Sequence, residues 1–298
     1  MRMKHISTDP TSTISEINEM VIYLRPSRGW AALNLLELWR FRELILFLTW
    51  RDILVRFKQT VFGASWAVIQ PLFTMVVFTF FFGRLAKVPT DGIPYPIFSF
   101  TALLPWGLFS KALGDAGRSL VQQRAMITKV YFPRLAIPIA SVLGGVVDFA
   151  ISFIVLILMI VYYNIIPTSP YHVTMTSNVL FLPFFLLLCI CAALGVGLWL
   201  SALNVIYRDI NHMIPFLTQI LLFITPIAYS SQMIPEKWQF IYALNPMVGV
   251  VEGFRWALLG SGDPPSYLIL ISVMVTLVLL VSGLFYFRRM ERTFADMV

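Results

Sequence analysis

Uncharged, mostly apolar stretches recur along the chain at lengths that suit a lipid bilayer. A helix rising about 1.5 Å per residue needs roughly 20 such residues to cross about 30 Å of hydrocarbon. Residues 61–83, 95–117, 135–163, 179–206, 213–230 and 266–287 meet that requirement and predict six spans. The first, VFGASWAVIQPLFTMVVFTFFFG, carries no charge, and the second is kinked at Pro105 and closes near Lys111 and Asp115. Between Arg134 and Arg208 the only charge is Asp148, and that run is too long for one crossing. The break NIIPTSPYHVTMTSN at 164–178 supplies turn residues that fold it back.

Two further segments are apolar but interrupted. Residues 33–58, LNLLELWRFRELILFLTWRDILVRFK, mix Leu36, Leu44, Phe47, Leu48, Ile53, Leu54 and Phe57 with Arg40, Arg42, Glu43, Arg51, Asp52 and Arg56. Their uncharged core, 44–50, is too short to span, so an amphipathic helix lying in the membrane interface is expected, with Trp39 and Trp50 at headgroup depth. Residues 234–259 are broken by Pro235, Asn245, Pro246 and Gly249. A helix over 247–259 would reach only about 20 Å. Two short re-entrant helices turning back at Asn245-Pro246 are therefore expected, with Glu252 and Arg255 three apart on one face. The resulting class is all-α and polytopic, with a tail at 1–32, one transmembrane domain over 33–290 and a second tail at 291–298.

Composition agrees with this pattern. Charged residues are 12% of the 298 and apolar residues 58%, against about 25% charged in a soluble domain. Lysines and arginines divide eighteen to four between the two sides that six spans define, which puts both termini in the cytosol. The first 30 residues hold no apolar run, so no cleavable signal peptide is expected. The net charge of +7 then reflects membrane orientation and anionic lipid rather than nucleic acid. Cys189 and Cys191, two apart inside an apolar run, fall on different helix faces and suit neither a disulfide nor zinc.

Enzyme chemistry finds no foothold. No lysine follows a glycine, so a GxxxxGK[ST] phosphate loop cannot occur. GASWA at 63–67 lacks the last glycine of a nucleophile elbow, and the histidines, His5, His172 and His212, are scattered. The intramembrane polar groups are few, chiefly Gln70, Asp148, Asn204 and Gln219. Asp148 follows Gly144-Gly145 and either bonds across a packed interface or lines a polar path.

Four pieces carry a resemblance that covers about residues 36–290: WRDILVRFKQTVFGASWAVIQPL, KVYFPR, LNVIYRDI and LNPMVGVVEGFRWALLG. Together they resemble the ABC-2 type permeases of polysaccharide exporters, which move O-antigen, capsule or teichoic-acid chains across the bacterial cytoplasmic (inner) membrane. The resemblance implies a channel made by a homodimer, driven by two copies of a separate ATPase that binds ATP and Mg, with no cofactor in this chain. It implies an ATPase-coupling helix at Gln122, Gln123, Arg124, Met126, Ile127, Lys129, Val130, Tyr131 and Phe132, ended by Pro133. It also implies an entrance for a lipid-linked polysaccharide at Arg51, Arg56 and Lys58, and a periplasmic gate that includes Asn245, Pro246, Glu252 and Arg255. A channel for sugars favours flat aromatic platforms, for which Trp66, Tyr95, Phe98, Trp106 and Phe109 are candidates. The alternatives are a permease for a drug or lipid and a membrane-embedded glycosyl or acyl transferase. The transferase would require a reactive acid or histidine cluster at a membrane face.

Overall fold

The six apolar stretches become five long helices and one short one. A computed structural model describes residues 35–58, 63, 65–90, 92–165, 177–260, 267–291 and 294, all within one compact unit that covers 33–298. The tail at 1–32 and most of the turn at 164–178 lie outside the described residues. Those described contain eleven α-helices and no strand. In chain order they are α1 Leu35–Arg40, α2 Arg42–Lys58, α3 Ser65–Phe78, α4 Tyr95–Gln122, α5 Arg124–Lys129, α6 Ala136–Ile165, α7 Leu182–Ile206, α8 Ile210–Ile224, α9 Glu236–Ala243, α10 Pro246–Leu259 and α11 Tyr267–Met290. α3 runs on through π-helical turns at Thr79–Leu85, and a 3-10 turn at Ser177–Phe181 leads into α7.

Among the described residues, five helices are long and apolar enough to cross a bilayer: Ser65–Leu85, Tyr95–Gln122, Ala136–Ile165, Ser177–Ile206 and Leu268–Met290. The expected span at 213–230 is instead the 15-residue α8, which rises about 22 Å. It stops at Thr225 because Pro226 follows, holding Thr225 extended at ψ 142 and offering no N–H to the next turn. The second span also departs from its expected end at 117. α4 continues to Gln122 because Lys111, Asp115 and Arg118 find ionic partners inside the fold rather than marking its exit to water. The interface segment divides at Phe41 into α1 and α2. α2 buries Ile45, Leu48 and Ile53 against α6 and its neighbours while Trp50, Leu46 and Phe47 stay exposed, the two-faced apolar character an interfacial helix needs.

α4 is the centre of the bundle. Nearly every side of it is covered, by α6, α7, α10, α3 and α8, whereas α3 buries only Met75. Small residues make that close packing possible: a side chain at Gly197 of α7 would come within 2.8 Å of Ala116 Cβ. Asn204 Nδ2 donates to the Gly117 carbonyl at 2.9 Å, and the Cys189 thiol donates to the Pro105 carbonyl at 3.4 Å. Both cysteines are free thiols. Gly145 approaches Leu108 and Ala112 of α4, while Gly144 faces open space, so only the second glycine of the pair serves helix contact.

α7 and α11 touch backbone to backbone. A Cβ at Gly283 would lie 2.5 Å from the Gly195 carbonyl oxygen, and one at Gly195 would lie 2.8 Å from the Leu280 nitrogen. Gly195→Val should therefore destabilise the bundle by about 1–3 kcal/mol, because neither neighbour is a side chain that can turn aside. Thermal unfolding in detergent, followed by tryptophan fluorescence, checks this. Gly144→Ala, with nothing within 4 Å, should leave the midpoint unchanged or raise it.

Candidate functional site

α3, α4, α6 and α8, with Arg56 and Phe57 at the end of α2, line a half-open cavity of about 610 Å³. Trp66, Gln70 and Thr74 of α3 face Trp106 and Ser110 of α4 across it, and Thr218 of α8 completes the wall. Ser152 of α6 holds α3 in place by donating to the Ala67 carbonyl at 2.7 Å. Hydroxyls, an amide and two indoles are therefore gathered in an otherwise apolar bundle.

One end of the cavity is ionic. Arg56 of α2 forks between two carboxylates, with Nη1 2.8 Å from Asp148 Oδ2 and Nη2 3.1 Å from Asp115 Oδ2. Lys111 also donates to Asp148, and Arg118 lies 3.7 Å from Asp115. Lys111, Asp115 and Arg118 share one face of α4 because they are four and three residues apart. A charge in hydrocarbon is tolerated when it is paired and faces the bundle interior. That constraint explains why Asp148, the one charge between Arg134 and Arg208, meets two cations. Asp148 is thus both a cross-helix bond and a cavity wall.

The three cations expected at the lipid-carrier entrance take different partners, although Arg51 and Arg56 line one cleft. Arg51 is bonded to its neighbour Asp52 at 2.7 Å, Arg56 faces inward to the carboxylates, and Lys58 is exposed at the end of α2. The expected channel aromatics also separate. Trp66 and Trp106 line the cavity, but Phe109 is buried beside Trp106 and absent from the wall. Tyr95 is buried and donates to the Ala228 carbonyl at 2.7 Å, and Phe98 is buried beneath Arg255. Burial in the chain's own packing gives these three a structural role in this conformation. From sequence, Lys111 and Asp115 mark only the close of the second span and Arg118 is not singled out, although their four- and three-residue spacing is the available signal.

The two short helices expected over 234–259 are observed as α9 and α10, with Asn245 between them. The Asn245 side chain caps α10 by accepting from Met247 N, Pro246 occupies the first turn, and the amide also donates to Thr225 Oγ1 at 2.9 Å. Arg255 is only 3% exposed. It donates to the carbonyls of Ile227 at 2.9 Å and Tyr229 at 3.2 Å, with its guanidinium 3.6 Å from the centre of the Phe98 ring. The expected Glu252 contact exists at 3.7 Å but is the longest of the set. Tyr242 donates to the Tyr229 hydroxyl, and burial together with that bond pushes its phenol well above the usual range. The turn at 225–230 and the re-entrant helices are therefore held as one body.

At the other end of α4, Gln122 closes the helix, Gln123 forms the joint and α5 follows. Ile127 is 6% exposed and Phe132 is buried with it in a cluster that includes Leu48, Leu120, Phe287 and Phe294. Both anchor the segment to the rest of the chain, so neither is presented outward. Val130 at 58% and Tyr131 at 69% exposure, with Arg124 and Lys129, form the outward face, and Met126 is half-buried. Arg134 ties the segment to the end of α11: its backbone N–H donates to Glu291 Oε1 at 3.2 Å and its guanidinium to the Glu291 carbonyl. No cluster of metal-ligating groups occurs among the described residues.

The family model described as ABC-2 type transporter matches residues 43–259, from α2 to the end of α10. The O-antigen export system permease protein RfbA of Klebsiella pneumoniae is 27% identical over 256 residues, covering 86% of this chain and 95% of the relative. The protein of the same name from Myxococcus xanthus is 28% identical over 265 residues, covering 88% and 98%. The polysialic acid transport protein KpsM of Escherichia coli is 24% identical over 249 residues, covering 81% and 91%.

Replacing Arg255 with Ala would leave the Ile227 and Tyr229 carbonyls without their donor, at a cost of about 3 kcal/mol. Limited proteolysis should then cut within 225–259 far faster than in the parent, while cleavage near α5 is unchanged. Arg255→Lys should restore little, because an ammonium group cannot repeat the two-carbonyl fork and the flat contact with Phe98.

Proposed function

Because the chain belongs to the ABC-2 type transporter family, we propose that it is the membrane-spanning permease of an ATP-driven exporter whose cargo is a lipid-linked polysaccharide. The observation that carries the reading is the near end-to-end similarity to permeases named for O-antigen export and polysialic acid transport. The cavity is chemically compatible with it, since indole faces suit sugar C–H faces while Gln70, Thr74 and Ser110 supply hydrogen-bonding groups.

In this reading the chain is a conduit without catalytic residues. ATP and Mg are bound by a separate ATPase, two copies of which dock on the side bearing α5. The outward face of Arg124, Lys129, Val130 and Tyr131 suits that contact, an apolar patch flanked by cations, while Ile127 and Phe132 transmit the push inward. Both termini lie in the cytosol, as the lysine and arginine distribution argues, in a reading that takes the short α8 with the turn after it as the fifth of six crossings. A second copy of the chain completes the channel. The exposed apolar side of α3, with Ile69, Phe73, Val76 and Phe80, supports that pairing.

Deletion of the gene should trap finished polymer on its lipid carrier inside the cell. Polymer that still reaches the surface would refute the cargo assignment. For the docking face, Val130→Asp combined with Tyr131→Asp should lower ATPase co-purification by about tenfold or more while the permease stays monodisperse. Ile127→Asp should instead reduce the yield of folded permease, because it places a charge in the chain's own core. Unchanged co-purification of the double variant would remove the docking assignment.

A further inference from the structure

A second cavity, of about 540 Å³, lies between α2 and the joint of α4 with α5. Its walls include Arg51 and Asp52 on one side and Gln122, Gln123, Ala125 and Met126 on the other. Arg56 lines both cavities; Asp148 and Lys111 line only the first, and Asp115 only the second. The guanidinium thus sits on the boundary, one arm reaching a carboxylate in each chamber, 2.8 Å to Asp148 and 3.1 Å to Asp115.

We propose that Arg56 is a retractable bar between the intramembrane cavity and the cleft beside α5, and that movement of α2 relative to α4 and α6 withdraws it to join the two spaces. Three observations carry this. Among the described residues, Arg56 is what α2 contributes to the ionic cluster, so displacing that helix draws the guanidinium away from both carboxylates together. Each carboxylate keeps a second cation when Arg56 leaves: Lys111 remains on Asp148 and Arg118 remains beside Asp115, both carried by α4. Withdrawal therefore strands no buried negative charge, which is the cost that ordinarily locks such pairs. Arg56 also has a place to go, since Asp52 is one turn back on α2 and lines the same cleft. α5 forms the opposite wall of that cleft, so force applied to α5 acts on the space into which the bar withdraws. The device concerns this chain alone and stands whether or not the cargo is a polysaccharide.

Thiol accessibility tests it in the full-length permease in membrane vesicles. Ser110→Cys reports the intramembrane cavity and Ala125→Cys reports the cleft. Labelling of the chain with only Cys189 and Cys191 is subtracted. A charged, membrane-impermeant reagent is applied in whichever vesicle orientation labels Ala125→Cys, so the result does not depend on the assignment of α5 to the cytosol. The expected result is slow labelling of Ser110→Cys in the parent, an intermediate rate with Arg56→Lys, and a rate about tenfold or more above the parent with Arg56→Ala. The Ala125→Cys rate should be equal in all three. Asp115→Asn, which removes one arm of the fork while leaving Arg56 in place, should also speed Ser110→Cys and serves if Arg56→Ala fails to insert. Ser110→Cys labelling as fast as Ala125→Cys in the parent, or a rate unchanged by these substitutions, overturns the proposal.

Discussion

A carboxylate held within a bilayer must be neutralised by a partner, and Asp148 shows how far that requirement reaches. It stands alone in the apolar run that makes α6 and α7, so its partners have to come from elsewhere in the chain. Arg56 arrives from the interfacial helix α2 and Lys111 from the central helix α4. Meeting this one need joins three elements at a single point and sets charged groups at one end of the cavity. The apolar packing around α4 supplies most of the buried area, but it is not directional. The ionic cluster supplies the alignment.

The far side of the bundle is ordered by the same rule applied to the backbone. Pro226 ends α8 after about 22 Å, and the turn that follows exposes carbonyls where no helix can satisfy them. Arg255 closes two of those carbonyls, Tyr95 a third, and Asn245 binds the Thr225 hydroxyl while capping α10. Irregular backbone at such depth persists only when the protein itself provides the partners. The re-entrant helices are therefore a braced unit that hangs from α4 through Tyr95 and Phe98, rather than a loose flap.

α5 is short, but it is not an isolated handle. Ile127 and Phe132 are set into a cluster shared with α2, α7 and α11, and Arg134 grips the residue that follows α11. A push on the outward face of Val130 and Tyr131 meets a stiff assembly, and the backbone contact of α7 with α11 at Gly195 and Gly283 continues that stiffness across the bundle. Where its elements shift against one another, the contacts that yield are those whose loss leaves no charge unpaired. Arg56 is such a contact.

The sequence by itself determined the all-helical class, the positions of the long helices, the two-faced helical character of residues 35–58 and the turning point at Asn245-Pro246. Each is a local property: run length against bilayer thickness, the spacing of apolar residues, or the missing N–H of a proline. The exclusion of a phosphate loop was equally legible, because it needs only adjacent residues. Side-chain partnerships were not. Residues 51, 56 and 58 look alike as cations near a membrane, yet one pairs with its neighbour, one forks between two distant carboxylates and one is exposed at the end of α2. Likewise Ile127 and Val130 sit in one short segment with opposite fates, and of Phe98 and Trp106, both buried on one helix, only Trp106 also lines the cavity. Only the tertiary structure decided these, because pairing depends on which helices meet and at what rotation, and that is set by contacts between residues as far apart as 56 and 148.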